Sequence, residues 1–165
     1  VGRLTEQKDH GTLLRAIRDV AGKRPVRLMV LGQGERLAEL QALAEELGIE
    51  GMVEFAGFDS NPYRYIAAAD VFALSSRWEG LPTVLIEALA CGTAIVSTDC
   101  PSGPSEILQD GRYGELVPMG DSEALASAIL HAPGREAAPN ALTSHLGQFK
   151  SGAVARQYLE VMKLT

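Results

Sequence analysis

Short apolar runs alternate along the chain with stretches in which apolar residues recur at helical spacing, the pattern of a parallel α/β sheet. Residues 9–23 read as a helix with Leu13, Leu14, Ile17 and Val20 on one face. A buried strand follows at 26–31, then a helix at 34–47 stopped by Gly48. A short strand at 52–56, a short helix at 62–69 and a strand at 71–74 come next. The β-branched run at 94–97 predicts another strand. A brief helix at 105–109, a short strand at 116–117 and a helix at 121–131 complete the pattern, the last capped by Asp121 or Ser122. From Pro139 onward one or two more helices are expected, the final one over 153–164. The predicted fold is a Rossmann-like parallel sheet of about five or six strands with helices on both faces. It forms one domain over residues 1–165, with 133–165 as a helical tail.

The stretch 75–92, SSRWEGLPTVLIEALACG, organises the rest. It leaves the strand at 71–74, turns through Trp78-Glu79-Gly80-Leu81-Pro82 and enters an apolar helix. Pro82 suits the first turn of that helix, where its missing N–H costs nothing. Free N–H groups at such a start, at the carboxyl end of a strand, offer a site for an anion. Glu87 sits in an apolar run, with no cation one turn away on either side. A buried carboxylate without a partner costs roughly several kcal/mol. Either a distant Arg or Lys, or water at the helix edge, offsets that cost, or a ligand with hydroxyl donors does, because an ionised carboxylate only accepts.

Composition narrows the classes. Hydrophobic residues make up 46% and charged residues 22%, which is globular. A net charge of −6 argues against nucleic acid as partner. The two cysteines, Cys91 and Cys100, lack metal-ligand spacing and fit a reducing setting, with Cys91 as apolar helix filler. No apolar stretch is long enough to cross a bilayer. The opening Val1-Gly2-Arg3-Leu4 reads as the end of a strand with further apolar residues ahead of it, hence as part of a longer protein.

Ligands of such sheets sit at the carboxyl ends of the strands. The ends predicted here are Arg3, Gly32-Gln33-Gly34, Gly57-Phe58, 75–81, 99–103 and 118–120. Arg3 and Lys8 precede the first helix, where a cation opposes the helix dipole unless an anion is shared between them. Together with the helix start after Pro82 they suggest a diphosphate-sized guest, Arg giving a fork and Lys a point charge. Plain surface placement of Lys8 is the alternative. Gly32-Gln33-Gly34 begins like a dinucleotide fingerprint but carries Leu37 where a third Gly belongs, and Glu54 lies mid-strand. No Asp-x-Asp occurs, so no metal-clamped phosphate is indicated. The histidines His10, His131 and His145 are scattered and read as surface residues.

Several pieces together resemble the C-terminal half of a retaining glycosyltransferase of family four, with GT-B architecture. They are VGRLTEQK at 1–8, LGQGE at 31–35, VEFAGF at 53–58, ADVFALSSRWEGLP at 69–82 and ALACGTAIVSTDCPSGPSEIL at 88–108, with Glu79 and Glu87 seven residues apart as the family's glutamate pair. The likeness runs from residue 1 to about 131. It implies a domain that binds a nucleotide-diphosphate sugar, a UDP-sugar by the CPSGP turn, for bacterial surface polysaccharide or glycan synthesis. By that resemblance Arg3 and Lys8 hold the diphosphate, with Gly2 beside them and the backbone at Thr83, Val84 and Leu85. Glu87 takes the ribose diol. Glu79, with Gly80, Leu81 and Pro82, orients the donor sugar, and Gly32, Gly57 and Phe58 border the base. Transfer proceeds with retained anomeric configuration, without cofactor or essential metal. Gln33 departs from the family pattern, where an acidic residue is common. The resemblance also implies an N-terminal acceptor domain of the same chain as partner, without which the fragment does not turn over. The implied setting is cytoplasmic, with membrane contact only through that other half at the inner face. Two other readings stay open: a nicotinamide-dependent oxidoreductase built on 28–54, and a noncatalytic nucleotide-sugar-binding module.

Overall fold

Alternation along the strands assigns their side chains to two apolar cores, one on each face of the sheet. In the computed structural model, which describes residues 1–132 and 140–154, the strands are β1 (Leu28–Leu31), β2 (Val53–Gly57), β3 (Val71–Leu74), β4 (Ala94–Thr98) and β5 (Glu115–Val117). The helices are α1 (His10–Ala21), α2 (Leu37–Glu46), α3 (Tyr63–Ala68), α4 (Thr83–Ala90), α5 (Pro104–Leu108), α6 (Ser122–His131) and α7 (Asn140–Gly147). Val96 of β4 and Val117 of β5 join Leu14, Ile17, Leu40 and Leu125 in the core under α1, α2 and α6. Ile95 of β4 and Phe72 and Leu74 of β3 face the other way, into the core of Ile66, Leu85, Leu89 and Ile107 under α3, α4 and α5. The period of two along each strand thus puts helices on both faces.

All strand pairs are parallel, as expected, but the sheet is not continuous. β1 pairs with β2, and β3 with β4 and β4 with β5, in two separate ladders. Residues 1–4 run beside the carboxyl end of β1: Gly2 donates to Leu31 O at 2.9 Å and Leu4 to Gln33 O at 2.9 Å. The strands number five among the described residues, within the expected range, but they form no single ladder.

Local chemistry explains the element ends. Asp9, in the left-handed region at φ 43, caps α1 by accepting from Thr12 N and from Thr12 Oγ1 at 2.9 Å. Asp121, not Ser122, caps α6, accepting from Ala124 N at 2.9 Å. α2 starts at Leu37, later than its sequence pattern suggests, because Gly34 is spent on a close crossing with Leu4. Pro82 is the residue before α4 rather than part of its first turn, with ψ 80. Short 3-10 turns at Glu6–Lys8 and Glu50–Met52 were not legible in the pattern.

Two expectations about burial are corrected. His10 and His145 are buried, not surface residues, because each enters a core that its own helix covers; only His131 is exposed. His145 docks α7: its Nε2–H donates to Ile107 O at 2.7 Å, and Nδ1 accepts from Gln109 and Gln148. Of the thiols, Cys100 is the buried one and Cys91, at the end of α4, is half-buried; both are free. Of the tail, α7 and a helical start at 151–154 are described, and the expected helix over 153–164 otherwise lies outside the described residues. No helix among the described residues is long and apolar enough to cross a membrane.

Candidate functional site

Two loops meet at the carboxyl ends of the strands, one carrying Lys8 and the other Glu79. Side-chain to backbone bonds fasten them together. Ser75 Oγ donates to Lys8 O at 2.8 Å, Arg77 N to Gln7 O at 2.8 Å, and Gln7 Nε2 to Trp78 O at 2.9 Å. Arg77 Nε also reaches Asp9 Oδ2 at 3.2 Å, and Thr98 Oγ1 donates to Ser76 O at 2.6 Å. The result is a fixed meeting point of Lys8 and Glu79, Nζ to Oε1 2.5 Å, with Ser76 Oγ donating to the same oxygen at 2.6 Å. Glu79 is 7% and Lys8 16% exposed, so the pair is shielded from bulk water and its charge is felt strongly nearby.

Around this pair lie most of the residues expected from sequence. The Lys8 stem lies over Gly2: a Cβ there would stand 3.1 Å from Lys8 Cε. Gly2, Gly32 and Gly57 form a row across adjacent strand ends, with Gly32 N donating to Gly57 O at 2.7 Å. Phe58, next in line, is 73% exposed. The Gly80–Pro82 segment is braced from behind by Gly103, at φ 95, where a Cβ would sit 2.4 Å from Pro82 Cδ and 2.9 Å from Gly80 O. That close approach explains the glycine in the turn after β4.

At the start of α4, Thr83 N donates to Leu81 O and Leu85 N to Pro82 O. Of Thr83, Val84 and Leu85, then, only Val84 presents an N–H without an acceptor among the described residues. Arg3 is exposed, and its guanidinium makes no hydrogen bond or ion pair among the described residues.

Glu87 is half-buried rather than sunk in the helix, because it falls at the boundary between the buried stripe of Val84, Leu85 and Ala88 and the exposed Thr83 and Ala90. No guanidinium or ammonium clamps it among the described residues. It lies on the Lys8 side of α4: the Val1 ammonium, lowered to about 6 by burial and then by Lys8, is raised in part by Glu87.

Sequence reasoning missed Gln7, Ser75 and Ser76, whose roles are bonds between distant loops, and His10. His10 Nδ1 is buried without a hydrogen-bond partner among the described residues. Burial, then the positive charges of the Val1 terminus, Lys8 and Arg36, hold its pKa at about 4, with Asp9 acting the other way. The native imidazole is therefore neutral, whereas the unfolded one takes up a proton below about 6.5. Between those values the unfolded state binds more protons, so stability falls as pH drops from about 6.5 to about 4. The full loss is about 3 kcal/mol. Urea melts across that window are expected to show a steeper decline for the native sequence than for His10→Gln.

Comparisons with known proteins agree with one another. Residues 1–141 match the profile of the family described as glycosyl transferases group 1. An N-acetylgalactosaminyltransferase of Campylobacter jejuni acting on a diphospho-undecaprenol-linked saccharide is 41% identical over 129 residues, 78% of this chain and 35% of that protein. The lipopolysaccharide core biosynthesis glycosyltransferase LpsE of Rhizobium meliloti is 37% identical, over 98% of this chain and 48% of LpsE. Among solved structures, Anabaena HepE in complex with UDP superimposes with a TM-score of 0.85 at 25% identity, over 99% of this chain and 47% of HepE. The chain thus spans about half the length of these relatives or less.

Proposed function

Since the chain belongs to the group 1 glycosyl transferases and has their GT-B architecture, we propose that it is the donor-binding half of an enzyme that transfers a sugar from a nucleotide-diphosphate sugar. The observation that carries this reading is the shielded Lys8–Glu79 pair beside the free amide of Val84. In the proposed complex Lys8 and Arg3 hold the diphosphate, with the Val84 amide as a further donor. Gly2, with no side chain, leaves room for the phosphates. Glu87 accepts from the ribose hydroxyls, and Phe58 with Gly32 and Gly57 borders the base. Glu79, steered by the Gly80–Pro82 turn, accepts from hydroxyls of the sugar.

During transfer the bond from the anomeric carbon to the diphosphate oxygen breaks and a bond to an acceptor hydroxyl forms. The leaving diphosphate gathers negative charge, and Lys8 and Arg3 stabilise it in a site already set for that charge. Retention of anomeric configuration, a UDP-sugar as donor, and independence of a metal are parts of the same proposal. So are an acceptor-binding partner half and a role in bacterial surface polysaccharide or glycan synthesis. HepE, crystallised with UDP and with UDP and glucose, supports the choice of base, and the polysaccharide transferases among the relatives support the pathway class.

The oxidoreductase reading loses its anchor. Glu54 stands second in β2, exposed and opposite Met29, three residues short of the strand end where a ribose would sit.

Titration calorimetry with UDP, GDP and NADH tests the proposal. UDP binding is expected, and Lys8→Ala is expected to weaken it by about 10- to 100-fold, the worth of one charge-assisted contact, with little change in melting temperature. An unchanged dissociation constant, or NADH binding lost in Glu54→Ala, would contradict it.

A further inference from the structure

The break in the sheet is itself a shaped site. β1 uses one edge to pair with β2, and β3 uses one edge to pair with β4. Their other edges, Leu28–Leu31 and Val71–Leu74, face a cleft of about 850 Å³ that both strands line. Unpaired strand N–H and C=O groups in apolar surroundings are costly, and a free edge is a template for another strand.

We propose that this cleft is the seat of a sixth, central β-strand, parallel to β1 and β3, and that its occupant is the stretch of the same polypeptide that runs into Val1. The direction and register are already set. Gly2 donates to Leu31 O and Leu4 to Gln33 O, which is a parallel ladder on the free edge of β1. That ladder places Gly2 beside Gly32 and Val1 beside Leu31. Followed backwards, it places the residue ahead of Val1 beside Val30 and the third ahead beside Leu28.

Three further observations fit this occupant. The α-amino group of Val1 is buried where it enters the cleft, and its pKa falls to about 6; a continuing chain replaces that charged group with a neutral amide. His10, 7% exposed, lines the cleft and holds the orphaned Nδ1, which a strand backbone N–H can satisfy. The cleft also lies between the two apolar cores, so an inserted strand is buried on both faces and its residues must be uniformly apolar.

Filled, the order becomes β2-β1-new strand-β3-β4-β5. The chain then departs in opposite directions on either side of the new strand, which is where open α/β sheets bind ligands. The new strand ends in Gly2-Arg3, so its seating fixes the loop that holds Lys8 against Glu79. The inference stands whether or not the donor reading holds.

Hydrogen exchange of the full-length gene product tests it, read by mass spectrometry against β4, which has a strand on each side. Amides of 28–31 and 71–74 are expected to exchange as slowly as those of 94–98. In the 165-residue chain alone they are expected to exchange at least about 100-fold faster than β4. Exchange in the full-length protein faster than β4 by that factor overturns the proposal. So does protection that disappears on dilution, which would assign the strand to a second copy. Should the shorter chain fail to fold, Ala73→Cys in the full-length protein decides. A thiol inert to maleimide until denaturation supports the filled cleft, and rapid labelling refutes it.

Discussion

Glu79→Gln is expected to separate the two halves of donor recognition, leaving UDP bound as well as before or several-fold more tightly while abolishing the added affinity from the sugar. Without a guest, Glu79 Oε1 accepts from both Lys8 and Ser76, and no donor is seen on Oε2 among the described residues. A diphosphate arriving at Lys8 must therefore share that ammonium with a carboxylate that also repels it. Glutamine keeps the shape and one acceptor but removes the competing charge, so the nucleotide gains. The sugar hydroxyls, by contrast, lose a charged acceptor, worth roughly 1.5–3 kcal/mol, or about 10- to 100-fold. In the full-length enzyme the loss is expected to appear in turnover, because the same contacts orient the anomeric carbon. Calorimetry with UDP and a panel of UDP-sugars reads the split. Equal weakening of UDP and UDP-sugars would mean that Glu79 serves only to place Lys8.

The second large effect is on stability. Gly32 has φ 144, and a Cβ on it would lie 1.8 Å from Gly2 O and 2.8 Å from Gly2 C. Those atoms are backbone, held by the Gly2–Leu31 hydrogen bond, and cannot rotate away. Gly32→Ala therefore has to push the first residues off the edge of β1, breaking the ladder that carries Arg3 and Lys8. A loss of about 4 kcal/mol or more is expected from overpacking and strain together, which at this size lowers Tm by about 8–16 °C. Gly80→Ala is the control, since a Cβ there meets nothing within 4 Å and Tm should hold. Calorimetric melting of both variants measures the contrast; a soluble Gly32→Ala with native Tm would show that the crossing of Gly2 and Gly32 is looser than the structure has it.

What could be seen in the sequence followed from period and position. The strand at 71–74 was placed to the residue because VFAL is bounded by Asp70 and a Ser pair. The strand ends that gather the site were visible as glycines and turn residues. Pairings between loops were not: Lys8 and Glu79 are 71 positions apart, and nothing in local spacing joins them. Ser75 and Ser76 looked like generic strand-end residues because their value lies in one backbone oxygen and one carboxylate each reaches. Glu87 misled in another way. A two-turn helix that is apolar all round gives no clue to which position falls at the edge of its buried stripe, and Glu87 falls there. The broken sheet escaped notice because every strand run carries the same apolar signature whether or not its neighbour is present.

The anchoring of Gln7 Nε2 to Trp78 O has an optical consequence. Trp78 is the sole tryptophan, 49% exposed, and sits one residue before Glu79 on the loop tied to the Lys8 loop. Any guest that draws Lys8 away from Glu79 also changes the field and hydration around that indole. Intrinsic emission excited near the red edge of protein absorbance therefore reports on this loop alone, and a nucleotide titration should shift or quench it without any attached dye.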